Sequence, residues 1–427
     1  MAFRFIHTAD IHLDSPLRSL ALRDPELADL IGNATRRAFV AIVSLCIDER
    51  VDALLLAGDL YDGDQTSMKT ARFLAEQMRK LDAAGVRVFI IRGNHDAESR
   101  ITNELSFPET VHVFRGRAEP IPLLRDASQF PVWVHGLIFM KPHAPESLLG
   151  RYRQPVPGAV NIGLMHTSLD GSAGHDLYAP CKLADLHTHG FDYWALGHIH
   201  QRGEFSDAST VVMPGMPQGR DINESGAKTA SLVTIHEDKS IEVEQRLTSV
   251  AQFERVGVDL TGLEDWKQVA RAIGNSLAQA RSGVDAEHLI ARLRLTGLSP
   301  LAWRLRRDTD LLKTEAVQQA ANIGNCWVEG VEIRCADQAS TAATTDPLAN
   351  PIEELRRLIS SDIAASSGYR AQISAMAQEL SGQLPPECRG LFGADETTFE
   401  TRLNEIIGDG VEDVLARMHA TPDRDGA

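Results

Sequence analysis

Apolar and polar positions along this chain follow two rhythms. Up to about residue 250, short apolar runs alternate with amphipathic stretches. Phe3 to Thr8 reads as a strand, and Ala38, Ile42 and Leu45 recur at the helical period, which predicts a helix from Asn33 to Glu49. A strand from Asp52 to Ala57 follows, then a helix from about Ser67 to Ala84 that Gly85 stops, then a strand from Arg87 to Ile91. Further strands are expected at Val132 to Leu137, Ala159 to His166, Tyr193 to Leu196 and Ser231 to Ile235. Residues 1–250 therefore read as a layered α/β domain.

The second rhythm begins near Phe253. It runs strand (Glu254 to Leu260), helix (Leu263 to Arg281), strand (Leu289 to Leu295), helix (Leu301 to Ala321), strand (Cys326 to Arg334), a small α+β domain over 251–336. Ala336 to Pro351 is rich in Ala, Thr, Asp and Pro without an apolar period, so 337–351 reads as a linker. Residues 352–427 read as a helical segment, with helices at Ile352 to Ala365, Tyr369 to Leu380 and Phe399 to Met418. In the last of these, Leu403, Ile406, Ile407, Val411, Val414 and Leu415 are spaced like a face that binds a partner's groove. No internal repeat is evident.

Composition narrows the class. A chain of 427 residues exceeds what one core supports, so two or three domains are expected. No apolar run approaches the roughly 18 residues of a membrane span, and the start, Met1-Ala2-Phe3-Arg4-Phe5-Ile6, lacks a basic and then apolar leader. The expectation is a soluble, cytoplasmic protein that does not enter a membrane. Cys46, Cys181, Cys326, Cys335 and Cys388 are scattered, odd in number and without a CxxC pair, which argues against disulfides or a thiolate zinc site. The formal charge of −16 divides as −7 over 1–250, −2 over 251–350 and −7 over 351–427. That balance is unusual for a partner of nucleic acid. Two divalent ions would return about four positive charges where a phosphate must sit, so acidity does not exclude such a partner.

Candidate chemistry lies in five turns, each just after an apolar strand: Asp10-Ile11-His12, Gly58-Asp59, Gly93-Asn94-His95-Asp96, His166, and Gly197-His198-Ile199-His200. Ligands gather at strand carboxyl ends in open α/β sheets. In DxH and HxH an extended backbone would point both side chains the same way. Gly58, Gly93 and Gly197 are expected to supply torsions that other residues resist. Carboxylate, imidazole and amide together suit a borderline-hard divalent metal, manganese first, with iron, zinc or magnesium as alternatives. Two ions need a bridging ligand, for which Asp59 is the natural carboxylate. Asp10, His12, Asp59 and His200 are assigned to one ion, and Asp59, Asn94, His166 and His198 to the other. His95 is left over beside a ligand, which suits a catalytic residue that protonates the leaving oxygen or stabilises charge at a phosphate. Two cations about 3.5–4 Å apart would activate a water for in-line attack on phosphorus. Each motif alone says little; five in this order are hard to explain structurally. Asp62 and Asp64 read as loop solvation or support behind the ligands, Asp96 as orienting His95 or capping a helix, and His175, His187 and His189 as surface histidines.

With these residues assembled, the sequence resembles the calcineurin-like metallophosphoesterase superfamily, and within it the DNA repair exonucleases of the SbcD type, most of all their YhaO-like bacterial branch. The segments that carry the resemblance are FIHTADIHLDSP, AGDLYDGD, IRGNHD, GHDLYAPC, FDYWALGHIH and MPGMPQGRDINESGAK. It covers about residues 1–245 well and the remainder in architecture. It implies a layered β-sandwich flanked by helices, metal ligands and a catalytic histidine at the positions already assigned, a cap over 251–336 that governs DNA access, and a tail that binds an SMC-type ATPase like SbcC or YhaN. It also implies a homodimer. Archaeal and eukaryotic relatives carry a histidine three positions after the bridging aspartate, where this chain, similar to bacterial members, has Asp62. The rival readings are a small-molecule phosphatase or cyclic-nucleotide phosphodiesterase on the same site, and a scaffold with a vestigial site.

Overall fold

The computed structural model describes residues 2–15, 25–61, 67–94, 106–123, 130–138, 144–170, 177–336, 351–384, 392–393 and 395–418. Residues 337–350 of the predicted linker, Asp62, Asp64, His95, Asp96, His175 and Cys388 lie outside the described residues, whereas Pro351, the last residue of that predicted linker, starts a helix. The chain divides into two units, Met1–Glu254 with Val284–Ile290, and Arg255–Gly283 with Ala291–Ala427.

The first unit is built on two six-stranded sheets. Its strands are β1 (Phe3–Thr8), β2 (Ala53–Ala57), β3 (Arg87–Ile91), β4 (Val111–Val113), β5 (Glu119–Leu123), β6 (Val132–Gly136), β7 (Val160–His166), β8 (Tyr193–Gly197), β9 (Gly203–Ser206), β10 (Thr210–Met213), β11 (Thr229–Ile235) and β12 (Ile241–Leu247). One sheet has the order β12-β11-β1-β2-β3-β4 and the other β5-β6-β7-β8-β10-β9. In the first, β1 to β4 run parallel; in the second, β6, β7, β8 and β10 do. Apolar side chains of the two sheets meet face to face, Phe5, Leu55 and Phe89 from one with Val134, Ile162, Leu164 and Tyr193 from the other.

Two helices, α1 (Pro25–Asp48) and α2 (Met68–Ala83), cover the outer face of the first sheet, with Phe39, Ile42, Val43, Leu74 and Met78 packed on Ile6, Leu54 and Ile90. By length and composition α1 could cross a membrane, but its Leu27, Ile31, Ala38, Phe39 and Ile42 are buried in this protein's own core. It starts eight residues before the predicted helix. Leu27, Ile31 and Ala34 are buried on either side of Gly32 and carry the helix through it. The outer face of the second sheet carries Trp194, Leu196 and Met165 against Leu148, Tyr152, Tyr178 and Leu186, the last on the short α3 (Leu183–Thr188). His189 is half-buried here, edge-on to Phe191 at 4.6 Å, and so departs from the surface position expected of it.

β13 (Ala251–Asp259), β14 (His288–Thr296) and β15 (Cys326–Ile333) form a three-stranded sheet, in which the first residues of β13 and β14 count with the first unit and the rest with the second. A capping box of Asp265 and Gln268 starts α4 (Trp266–Ser282). The single helix predicted from Leu301 is two, α5 (Ala302–Arg307) and α6 (Thr309–Ile323), because Asp308 leaves helical torsions while gripping the Arg307 guanidinium through two 2.8 Å contacts. The C-terminal helices are α7 (Pro351–Leu358), α8 (Ser367–Gln383) and α9 (Glu396–Met418). Leu403 and Ile407 of α9 are buried with Ala377 of α8, and Asp409 and Asp413 pair with Arg306.

A buried histidine joins the sheets of the first unit. His7 on β1 donates from Nε2 to the Leu196 carbonyl at 3.0 Å and accepts at Nδ1 from the Tyr193 hydroxyl at 3.0 Å. The carbonyl can only accept, so the neutral tautomer is set. Burial pushes His7 down from 6.5 to about 3. The unfolded chain therefore binds this proton first as pH falls. Stability from neutral His7 is complete above about 6.5 and declines as pH drops toward 3, by on the order of 1.4 kcal/mol per pH unit. Urea midpoints at pH 8 and pH 5 should differ more for the wild type than for His7→Gln; equal differences would refute this.

Candidate metal centre

Five strands deliver the candidate residues to one edge of the sandwich. β1, β2 and β3 of the first sheet end at Asp10 and His12, at Asp59, and at Asn94, whereas β7 and β8 of the second end at His166 and at His198 and His200. All these strands are parallel within their sheets, so their carboxyl ends share an edge. The turns after β1 and β2 are laddered together: the Asp10 N–H donates to the Gly58 carbonyl at 3.0 Å, His12 N–H to Asp59 at 3.0 Å, and Leu13 N–H to Leu60 at 2.8 Å. Behind them, Asp14 receives the Arg36 guanidinium at 2.6 and 2.5 Å and also the Thr70 hydroxyl, which ties the first turn to α1 and α2.

The backbone of these turns is left-handed at non-glycine residues. Asp10, His12 and Asp59 have φ of 52°, 45° and 51°, and His198 has 101°. Such conformations cost energy and persist where the surroundings enforce them. The extended DxH and HxH geometry expected from sequence is therefore not what the turns adopt. Asp10 and His12 still converge, and His198 and His200 lie in separate groups, as in the assignment made from the sequence. Of the three glycines, Gly58 has a positive φ of 97°, whereas Gly93 and Gly197 supply room. A Cβ on Gly93 would lie 2.0 Å from Asp59 Oδ1, and one on Gly197 would lie 2.1 Å from the Ala57 carbonyl oxygen.

Two groups of donors result, Asp10 with His12 and His200, and Asp59 with His166 and His198, the donor atoms of each lying within 4.8 Å of one another. In the first, the Nε2 atoms of His12 and His200 face each other at 3.2 Å. In the second, Asn94 Oδ1 is 3.1 Å from His166 Nε2 and 3.2 Å from His198 Nδ1, and Asp59 Oδ2 is 3.3 Å from His166 Nε2. His166 gives its other nitrogen to the Ala57 carbonyl at 2.9 Å, which fixes the ring. The Asp10 carboxylate accepts the His198 N–H at 3.0 and 3.1 Å. Tyr178 walls the second group, its ring 5.5 Å from His166.

Electrostatics explain what such a site is for. Burial pushes the Asp10 carboxyl up to about 6, opposed by His166 and His200 and reinforced by Asp59. Burial resists charging of His166, yet Asp59 and Asp10 hold it up at about 9. A buried set of carboxylates and facing imidazole nitrogens asks for positive charge. The oxygen and nitrogen donors, with no thiolate among them, fit two divalent cations. Glu224 was not singled out from sequence. Its oxygen meets His200 Nδ1 at 2.8 Å, and the one trace of it in the sequence is its place in the RDINE block.

The calcineurin-like phosphoesterase family matches residues 3–202, and the middle domain of the metallophosphoesterase YhaO matches residues 253–336. This chain belongs to the calcineurin-like metallophosphoesterase family. It is 32% identical over 319 residues to the metallophosphoesterase YhaO of Bacillus subtilis (strain 168), spanning 74% of this chain and 77% of that protein. It is also 22% identical over 289 residues to the DNA double-strand break repair protein Mre11 of Methanopyrus kandleri, spanning 63% of this chain and 61% of that one. To a subunit of the nuclease SbcCD of Bacillus subtilis it is 24% identical over 268 residues, spanning 54% of this chain and 66% of that protein.

The close fit at Gly197 is testable. Gly197→Ala should destabilise the chain by about 1–3 kcal/mol, the usual cost of overpacking. Denaturant unfolding measures it, and a wild-type midpoint would show that β8 and β2 do not meet this tightly.

Proposed function

We propose that this chain is a two-cation phosphodiesterase that cleaves DNA as the nuclease subunit of a repair complex. One observation carries the reading: two largely buried nitrogen and oxygen donor groups at a single strand-end edge, in a chain whose relatives include a double-strand break repair protein and a nuclease subunit. Asp10, His12 and His200 would hold one ion, Asn94, His166 and His198 the other, with Asp59 shared. Manganese is the proposed native metal. When bound, two divalent cations supply Lewis acidity toward a phosphoryl oxygen and lower the pKa of water.

The chain's own residues do the rest. The left-handed turns at Asp10 and Asp59 aim the carboxylates into the site, and Tyr178 packs edge-on against His166. His95, next to Asn94, is the proposed proton donor to the leaving oxygen, with Asp62 and Asp96 as supporting groups near the substrate. A small-phosphate-ester hydrolase does not need the cap and helical tail of residues 251–427, which favours a polymeric substrate, with residues 251–336 as the proposed cap over DNA.

The tail is proposed to bind an SMC-type ATPase. Part of the face expected to do so is used internally, since Leu403, Ile407 and Leu415 are buried, but Ile406 and Val414 are 42% and 51% exposed.

Purified protein with manganese should degrade single- or double-stranded DNA; turnover of mononucleotides beside intact DNA would refute the nuclease. His95→Ala should keep both ions and lose about 10²–10⁴ in turnover, whereas Asp59→Ala should weaken both ions, as metal analysis of each variant will show. Ile406→Asp with Val414→Asp should abolish co-purification with the ATPase and spare manganese-dependent cleavage. Undiminished association would remove the tail from this role.

A further inference from the structure

His200 reaches the first donor group by one ring nitrogen and a carboxylate by the other. Its Nδ1 lies 2.8 Å from Glu224 Oε1, and its Nε2 lies 3.2 Å from His12 Nε2. A carboxylate only accepts, so Nδ1 carries the proton and Nε2 is left with its lone pair toward the cluster. Glu224 is itself held on both oxygens. Oε1 takes Arg220 Nη2 at 2.9 Å, and Oε2 takes the Arg220 backbone N–H at 2.8 Å and its Nε at 3.3 Å. Arg220 Nη1 continues to the Ser15 hydroxyl at 3.3 Å, in the turn that follows His12. The segment is fixed in turn: Asp221 accepts the Asn223 N–H at 2.7 Å and starts the short 3-10 turn Ile222–Glu224.

We infer that Glu224, braced by Arg220, is a positioning residue that holds His200 in its metal-binding tautomer and sets the affinity of the first cluster for its cation. This rests on the two-cation reading above. One histidine of each cluster shows a different group behind its ring. His166 has a neutral backbone carbonyl at 2.9 Å, whereas His200 has a carboxylate, which makes the imidazole a stronger donor to a cation. Loss of Glu224 should therefore act on one cluster and leave the other unchanged. Ser15 adds a second consequence, because the same arginine links the segment after β10 to the loop that carries Asp10 and His12.

The test is metal titration of the metal-free full-length chain, with manganese followed by electron paramagnetic resonance and cobalt by its absorption spectrum. Wild type should bind two ions. Glu224→Ala should weaken one step by about 10–100-fold, the usual effect of removing such a partner, with a changed cobalt spectrum at that step. It should be the step that His200→Ala removes, and the step it keeps should be the one His166→Ala removes. Glu224→Gln, whose amide oxygen still accepts from Nδ1 without the charge, should fall between. A Glu224→Ala titration that superimposes on wild type overturns the inference, as does equal weakening of both steps, which would assign Glu224 to the fold as a whole. Fewer than two ions on the wild-type chain would instead overturn the two-cation reading beneath it.

Discussion

At the edge where the site forms, the two sheets of the first unit are joined by polar contacts rather than by apolar packing alone. His7 on β1 bonds to Tyr193 and Leu196 of β8, His166 on β7 donates to Ala57 of β2, and the Asp10 carboxylate takes the His198 N–H. Between them Gly197 lies against the Ala57 carbonyl with no room for a side chain. Each contact is buried, so breaking one would leave a polar group unsatisfied in low dielectric. This network sets how far the turns of one sheet stand from those of the other. It is what holds Asp10, Asp59 and His198 in backbone conformations that cost about 1–3 kcal/mol each.

From that spacing the electrostatics follow. Carboxylates that would repel in an open loop are held together under burial, with imidazoles turned toward them and braced from behind by a carbonyl or by Glu224. The site is thus prepared for positive charge before any arrives. This also reconciles an overall charge of −16 with a phosphate ester as substrate, because the field at the reacting centre is set by local cations and not by the total.

Away from the site, the structure spends its apolar positions differently from a simple periodicity. In α9, residues at one helical spacing serve two faces. Leu403 and Ile407 pack with α8, Asp409 and Asp413 pair with Arg306 of α5, and Ile406 and Val414 stay exposed. A sequence pattern marks all of these as amphipathic and does not say which side is taken by the chain itself.

The amino-acid sequence determined the elements that matter most, because short, nearly continuous apolar runs such as Ala53–Ala57 and Val160–His166 suit strands buried on both faces, and both are buried along their whole length. It also pointed to the residues at their ends, since few other arrangements place Asp, Asn and His just after each of five apolar strands. It left out β4, β5, β9, β10 and β12, which are short or partly exposed and carry no clear period, and it gave Gly93 and Gly197 a torsional role when their function is to leave space. That the two donor groups converge depended on the packing of the two sheets, and that Glu224 stands behind His200 depended on how the segment after β10 returns to the turn after β8. Strand ends more than a hundred residues apart in the chain meet only after both sheets pack, and no local pattern records that meeting.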